Sequence, residues 1–226
     1  MQHAYCEEAL ACFEKIQREG LTPDAIAFTS SLKACAHIEA LDKGMGIHAE
    51  ILRRGLDESN LISCALVDMY AKCGALRKAQ EVFDELPCKD VISWNALITG
   101  YSQQGKCGDI TIKWFEEMKQ QGFSPNVVTF ISALKACSCS CSSSNTNIEI
   151  CEKGKELHAC FASMGLLQEN VLVGTTLVDM YVKCGMLAKS EKVLKGFPNQ
   201  IIVSWSMLIV GYTTHNQVHD ALVPSR

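Results

Sequence analysis

The chain repeats itself in tandem, and that constrains its fold more than any other feature. FEKIQREGLTPD at 13–24 returns as FEEMKQQGFSPN at 115–126, and LKAC at 32–35 returns at 134–137, both displaced by 102 positions. LVDMYAKCG at 66–74 returns as LVDMYVKCG at 177–185, and Trp94 returns as Trp205 in a similar setting, both displaced by 111. The difference comes from nine extra residues between Cys137 and the second LVDMY. Most of them fall in SCSCSSSNTN at 138–147, a polar, low-complexity insert that the composition predicts to be a mobile loop. Self-similarity of this kind means tandem units, each too small to close a core alone and each completed by its neighbours.

Each long period divides into three shorter units that share one pattern: an apolar-periodic helix, a short Gly-containing turn, a second helix, and a Pro or polar exit. In 60–90 the residues Ile62, Ala65, Leu66, Met69 and Tyr70 share one face of a first helix. Cys73-Gly74 supplies the turn, with Gly74 free to adopt a left-handed conformation. Ala79, Val82, Phe83 and Leu86 mark one face of a second helix, and Pro87 stops it. The expectation is an all-α solenoid of stacked helix-turn-helix units.

Units of 31 to 36 residues with two helices fit two repeat families, tetratricopeptide and pentatricopeptide. The tetratricopeptide arrangement of Trp, Leu-Gly and Tyr in the first helix is not met. SWNALITGYSQQG…FEEMKQQGFSPN resembles the pentatricopeptide "P" unit, LKAC…KG…IHA the longer "L" unit, and ALVDMYAKCG…AQEVFDELP the shorter "S" unit. The chain thus resembles the PLS subclass, with a partial P at 1–24, L at 25–59, S at 60–90, P at 91–126, L with the insert at 127–170, S at 171–201 and a partial P at 202–226. Both ends cut a repeat, as a fragment without the E or DYW domain of longer relatives would. The resemblance implies a right-handed superhelix and binding of single-stranded organellar RNA at about one base per unit.

It also implies the site. In this family the fifth residue of a unit and its last residue read the base, and apolar second residues clamp it. The fifth/last pairs are then Thr29/Ser59, Cys64/Asp90, Asn95/Asn126, Ile131/Asn170 and Thr175/Ile201, with Ser206 opening a sixth. Asp24 closes a pair whose start is missing. The clamps are Ile26, Leu61, Ile92, Val128, Leu172 and Val203, all apolar. Asn95/Asn126 matches a family combination for pyrimidines, cytidine above uridine, whereas Cys64, Ile131 and Ile201 lack the expected hydrogen-bonding groups. Lys72 and Lys183, equivalent positions near the first-helix end, suit either phosphate contact or the helix dipole.

Charge and cysteines bound the remaining options. The net charge of −4 argues against a generally basic polyanion-binding surface, so any RNA face must concentrate its cations. No apolar run is long enough to span a membrane, and the N-terminus shows no presequence pattern. Thirteen cysteines, an odd number with four in register (Cys35/Cys137 and Cys73/Cys184), read as reduced packing residues. A thiolate site could be drawn from Cys137, Cys139, Cys141, Cys151, His158 and Cys160, but the spacing fits no common zinc motif. H-x-E occurs at 37–39 and 48–50 without any C-x-x-C, so the deaminase zinc chemistry has no ligand set, and the expectation is no metal, no cofactor and no catalysis. His48 and His158 recur in register and are expected to pack. The leading expectation is RNA binding for organellar RNA processing, typically recognition of C-to-U editing sites. A trans-acting deaminase or editing-factor protein is the companion partner. The location is organellar, with the mitochondrion placed ahead of the chloroplast. The alternatives are a protein-interaction scaffold or a truncated, non-functional remnant.

Overall fold

The computed structural model describes residues 2–57, 59–104, 108–140, 147–164, 170–196 and 202–214, and every regular element among them is an α-helix. In chain order these are α1 (Gln2–Arg18), α2 (Ala25–His37), α3 (Leu41–Arg53), α4 (Asn60–Lys72), α5 (Leu76–Asp84) and α6 (Val91–Gln103). They continue with α7 (Gly108–Gln120), α8 (Val127–Ser140), α9 (Asn147–Ser163), α10 (Val171–Lys183), α11 (Leu187–Gly196) and α12 (Ile202–Thr214). The even-numbered helices are first helices of the repeat, and the odd-numbered ones are second helices. The fold is an all-α repeat array.

The starts of the first helices are written in the sequence. Asp24 accepts a hydrogen bond from the Ala27 N–H at 2.8 Å, and Asn170 accepts from Leu172 and Val173 N–H at 3.2 and 3.3 Å. Asp90 and Asn126 do the same for the amides of Ser93 (2.8 Å) and Thr129 (3.2 Å). Each such cap satisfies amides that the first turn leaves without partners, worth about 1 kcal/mol. Between α4 and α5 the chain turns through Gly74 at φ 75°, and Gly185 repeats the turn at φ 70°, a left-handed conformation that costs a residue with a Cβ.

Two compact units divide the chain, Met1–Tyr101 and Ser102–Arg226. In the first, α2 packs beside α4, with α1, α3 and α5 against them. In the second, α8, α10 and α12 lie side by side, backed by α7, α9 and α11. The expected face of α4 is the core: Ile62, Leu66, Met69 and Tyr70 are at most 2% exposed. Burial of each such side chain contributes about 1.5–3 kcal/mol.

Three contacts recur in register. The aromatic residue two places after the second position meets the preceding second helix edge-on: Phe13–Phe28 at 5.4 Å, Phe83–Trp94 at 4.7 Å and Phe115–Phe130 at 5.3 Å between ring centroids. Such pairs add about 0.5–1.5 kcal/mol beyond area burial. His48 Nδ1 lies 2.8 Å from Tyr70 Oη, and His158 Nδ1 lies 2.8 Å from Tyr181 Oη. Gly44 and Gly154 give room to the thioethers of Met69 and Met180. Cys35 and Cys137 are fully buried, while Cys73 and Cys184 are half-buried.

The insert differs from its expectation as a loop. Ser138–Ser140 continue α8, Asn147 opens α9, and only 141–146 lie outside the described residues. Ser138 is fully buried and donates to Asp179 Oδ2 on α10 at 2.6 Å. Ser138 and Cys139 stand at the register positions of Ala36 and His37, the end of α2, so the polar stretch begins inside a first helix.

Candidate nucleic-acid interface

The six second-position residues share a property that core periodicity would not give them. Ile26 (70%), Leu61 (59%), Ile92 (70%), Val128 (50%), Leu172 (58%) and Val203 (53%) are all exposed, three in each compact unit. Two residues further along three of these helices, the fourth position carries an aromatic turned fully inward: Phe28, Trp94 and Phe130 are 0% exposed. In α2, α6 and α8 the register thus holds one branched apolar side chain out to water while an aromatic two places on enters the core. Scattered exposed apolar residues are ordinary; the same position exposed in six successive first helices is a pattern.

The fifth positions vary in access. Thr29 is buried, and its hydroxyl donates to Ala25 O at 2.9 Å and Ile26 O at 3.1 Å. Cys64, Asn95, Ile131 and Thr175 are half-buried, and Ser206 is exposed. Thr175 and Ser206 also turn their hydroxyls back onto their own helices, to Leu172 O (2.9 Å) and Ile202 O (3.0 Å). Ile131 packs partly against the second unit's core.

Of the proposed pairs, the structure brings Cys64 and Asp90 together. The Cys64 thiol donates to Asp90 Oδ1 at 3.9 Å, and burial, then the Asp90 carboxylate, pushes its pKa up to about 11. Asn95 and Asn126 fall in different compact units. Asn126 is exposed, with its Oδ1 held by the amide and the hydroxyl of Thr129, the latter at 3.1 Å. Ser59 is half-buried at the N-cap of α4, where its side chain makes no capping bond. Asn170 caps α10, and Ile201 lies outside the described residues. Lys72 and Lys183, weighed above for phosphate contact, each bind an aspartate one turn back, Asp68 at 2.8 Å and Asp179 at 3.0 Å. The family resemblance pairs Cys64 with Asp90 as base readers; that the thiol donates to the carboxylate, 26 residues on, is not legible in the sequence.

Among the described residues no group of three or more His, Cys, Asp or Glu side chains could hold a metal. Of the six drawn as a thiolate site, Cys137 is buried, Cys139 exposed, Cys151, His158 and Cys160 half-buried, and Cys141 lies outside the described residues. Among the described residues no helix is long and apolar enough to cross a membrane.

Helical hairpins stacked in register, with one apolar position presented outward from every first helix, define a helical-repeat protein. The PPR repeat family model matches residues 89–139, and the PPR repeat model matches 63–91 and 175–197. The chain belongs to the pentatricopeptide repeat family. It is 34% identical to a chloroplastic pentatricopeptide repeat-containing protein of Arabidopsis thaliana, over 98% of this chain and 34% of that protein. It is 30% identical to a mitochondrial one from the same plant, over 98% of this chain and 31% of the relative. The chain spans about a third of the length of these curated relatives. Among solved structures it resembles the pentatricopeptide repeat protein PPR10 from maize, with TM-score 0.73 and 18% identity over 96% of this chain and 30% of that one. It also resembles PPR10 in complex with an 18-nt psaJ RNA element, with TM-score 0.76 and 20% identity over 96% of this chain and 32% of that one. At these identities the likeness establishes the fold.

Proposed function

We propose that the chain holds single-stranded RNA against its exposed second-position side chains, as part of a longer organellar RNA-processing protein. The carrying observation is the six-fold exposure of Ile26, Leu61, Ile92, Val128, Leu172 and Val203. An apolar side chain left in water at every unit is a platform for the face of an unstacked base, and base stacking tolerates any sequence. The fifth and last residues would then add selectivity, with Asn95/Asn126 the pair whose residue types match a family combination, favouring cytidine over uridine. The PLS order of units supports the finer proposal that the RNA is a C-to-U editing site, served by a deaminase or editing factor in trans. The relatives' names divide between chloroplast and mitochondrion, which supports an organelle and gives no reason to place the mitochondrion first.

A second reading, a protein-binding scaffold, is favoured by the net charge of −4 and by the ion pairing of Lys72 and Lys183. One experiment separates the two. The Leu61→Ser, Leu172→Ser double variant removes apolar surface that is more than half exposed, so its melting temperature should stay close to the parent's. Its affinity for single-stranded RNA, measured by fluorescence anisotropy at fixed low salt, should drop about ten-fold or more, since each stacked base is worth about 1–3 kcal/mol. Equal RNA affinity of parent and variant, or no RNA binding by either, makes the scaffold the better reading.

A further inference from the structure

Each compact unit carries a crevice beside a His–Tyr pair; the two share four equivalent lining positions (His48/His158, Leu52/Ala162, Val82/Val193 and Glu85/Gly196) and are otherwise lined differently. In the first unit the crevice lies beside the His48–Tyr70 pair, encloses about 140 Å³, and is bounded by Leu52, Asp57 and Glu85. In the second it lies beside the His158–Tyr181 pair and opens to about 480 Å³, within the range of small-ligand sites. At equivalent positions the two repeats differ in side-chain size and charge. Ala162 stands where Leu52 stands and Gly196 where Glu85 stands, which removes a side chain from each wall. Lys155 replaces Met45 and Lys192 replaces Glu81, while Lys189 matches Lys78. One crevice is small and flanked by acids; the other is more than three times larger and rimmed by lysines.

Helical spacing explains the rim. Lys155, Ala159 and Ala162 fall on one face of α9, and Lys189, Lys192, Val193 and Gly196 on the facing side of α11. Lys155 is tied to Glu152 at 2.5 Å, whereas no ion pair occupies Lys189 or Lys192 among the described residues. Burial, then the nearby Lys189, lowers the pKa of His158, and there is no carboxylate here in the place of Glu85, which acts to raise the pKa of His48. The floor is apolar and the rim cationic.

We propose that the crevice between α9 and α11 binds a small organic phosphate, a phosphomonoester on an apolar or planar body about the size of a mononucleotide. Lys189 and Lys192 on α11, with Lys155 across the crevice on α9, offer ammonium donors suited to the several oxygens of one phosphate, and Ala159, Ala162 and Val193 receive the body. The site lies on second helices, away from the second-position residues of the first helices, and stands or falls independently of RNA binding.

The test uses the whole chain and follows the histidine ring resonances by NMR as AMP is added, with His48 as the internal control. AMP should move the His158 resonance saturably and leave His48 in place, while adenosine and inorganic phosphate should each bind at least ten-fold more weakly. Lys189→Glu and Lys192→Glu should each weaken AMP at least ten-fold. Gly196→Glu rebuilds the acidic wall of the first unit, and since a Cβ there meets nothing within 4 Å, it should weaken AMP as much with no loss of helicity or melting temperature. The proposal is overturned if 10 mM AMP leaves His158 unmoved, if it moves His48 and His158 alike, or if the three variants bind as the parent does. It is equally overturned if a ten-nucleotide RNA moves His158 and AMP does not, because the lysines would then belong to an RNA track.

Discussion

At Asn126 one carboxamide serves two neighbours: its oxygen caps the start of α8, and in the proposed register it is also the second reader of unit 91–126. Aspartate caps as well as asparagine does, so Asn126→Asp isolates the reading role. A carboxylate can only accept hydrogen bonds, which suits the N3–H of uridine and opposes the acceptor N3 of cytidine. With the unit grafted into a longer, tight-binding array at fixed salt, the preference should swing from cytidine toward uridine by about 1 kcal/mol. An unchanged ratio of C to U affinity would mean that the register is wrong. Cys64 is the other residue with a measurable consequence. Its thiol, held protonated by burial and by Asp90 to a pKa of about 11, should resist iodoacetamide at pH 8 long after the exposed Cys88 and Cys139 are modified. Peptide mapping that finds Cys64 alkylated as fast as Cys88 would remove the thiol–carboxylate contact.

Between helices, small residues set how closely the layers approach, and their tolerance should differ. A Cβ at Gly100 would meet Ala71 Cβ at 2.8 Å and Leu76 Cδ2 at 2.9 Å, and the methyl of alanine has no rotamer to retreat to. Gly100→Ala should therefore destabilise by about 1–3 kcal/mol in denaturant melts despite alanine's better helix propensity. Gly44→Ala meets the flexible end of Met69 and should cost less; the reverse order would show that the α4–α6 contact is looser than drawn. The His–Tyr pairs link packing to pH. Burial lowers the pKa of both His48 and His158 from the ordinary 6.5. The unfolded chain then takes up protons near 6.5 before the folded one does, so stability is full above that value and falls as pH drops below it. The melting temperature should fall between pH 7.5 and 5.5, and fall less in a His48→Phe, His158→Phe double variant. Much at this scale was legible in the chain: the face of α4 follows from its spacing, and the recurrence of both histidines marked them as packing residues. Their tyrosine partners were not legible, since they lie 22 and 23 residues away on the next unit's first helix. Nor does periodicity distinguish exposed Ile26 from buried Phe28; only stacking decides which of two apolar neighbours finds a core, and the expectation for Ile26 came from family resemblance.

For the whole chain, charge and register give the remaining expectations. The net charge of −4 and the pairing of both candidate lysines argue against a dense cationic track along the reading positions. The slope of log affinity for RNA against log salt should then be shallow, about −2 or flatter, at about −0.7 per neutralised phosphate on a single strand; a steep slope would point to a basic track elsewhere. The insert should be dispensable only in part. Removing 141–146 should shift the melting temperature by no more than about a degree or two, since changing the length of a connection between two helices costs little loop entropy. Removing 138–147 takes with it the buried Ser138 and its bond to Asp179, and should cost clearly more. The helix caps have a wider consequence. In the proposed register Asp24, Asp90, Asn126 and Asn170 each close one repeat, and each caps the start of the helix that follows. The spelling of such a protein is therefore restricted by its punctuation: a letter at the end of one word must also be able to begin the next. Few side chains can do both, chiefly Asp, Asn, Ser and Thr. If these positions do read bases, their vocabulary was narrowed by the needs of helix initiation before any nucleotide was met, and a designer rewriting one repeat edits the foundation of its neighbour.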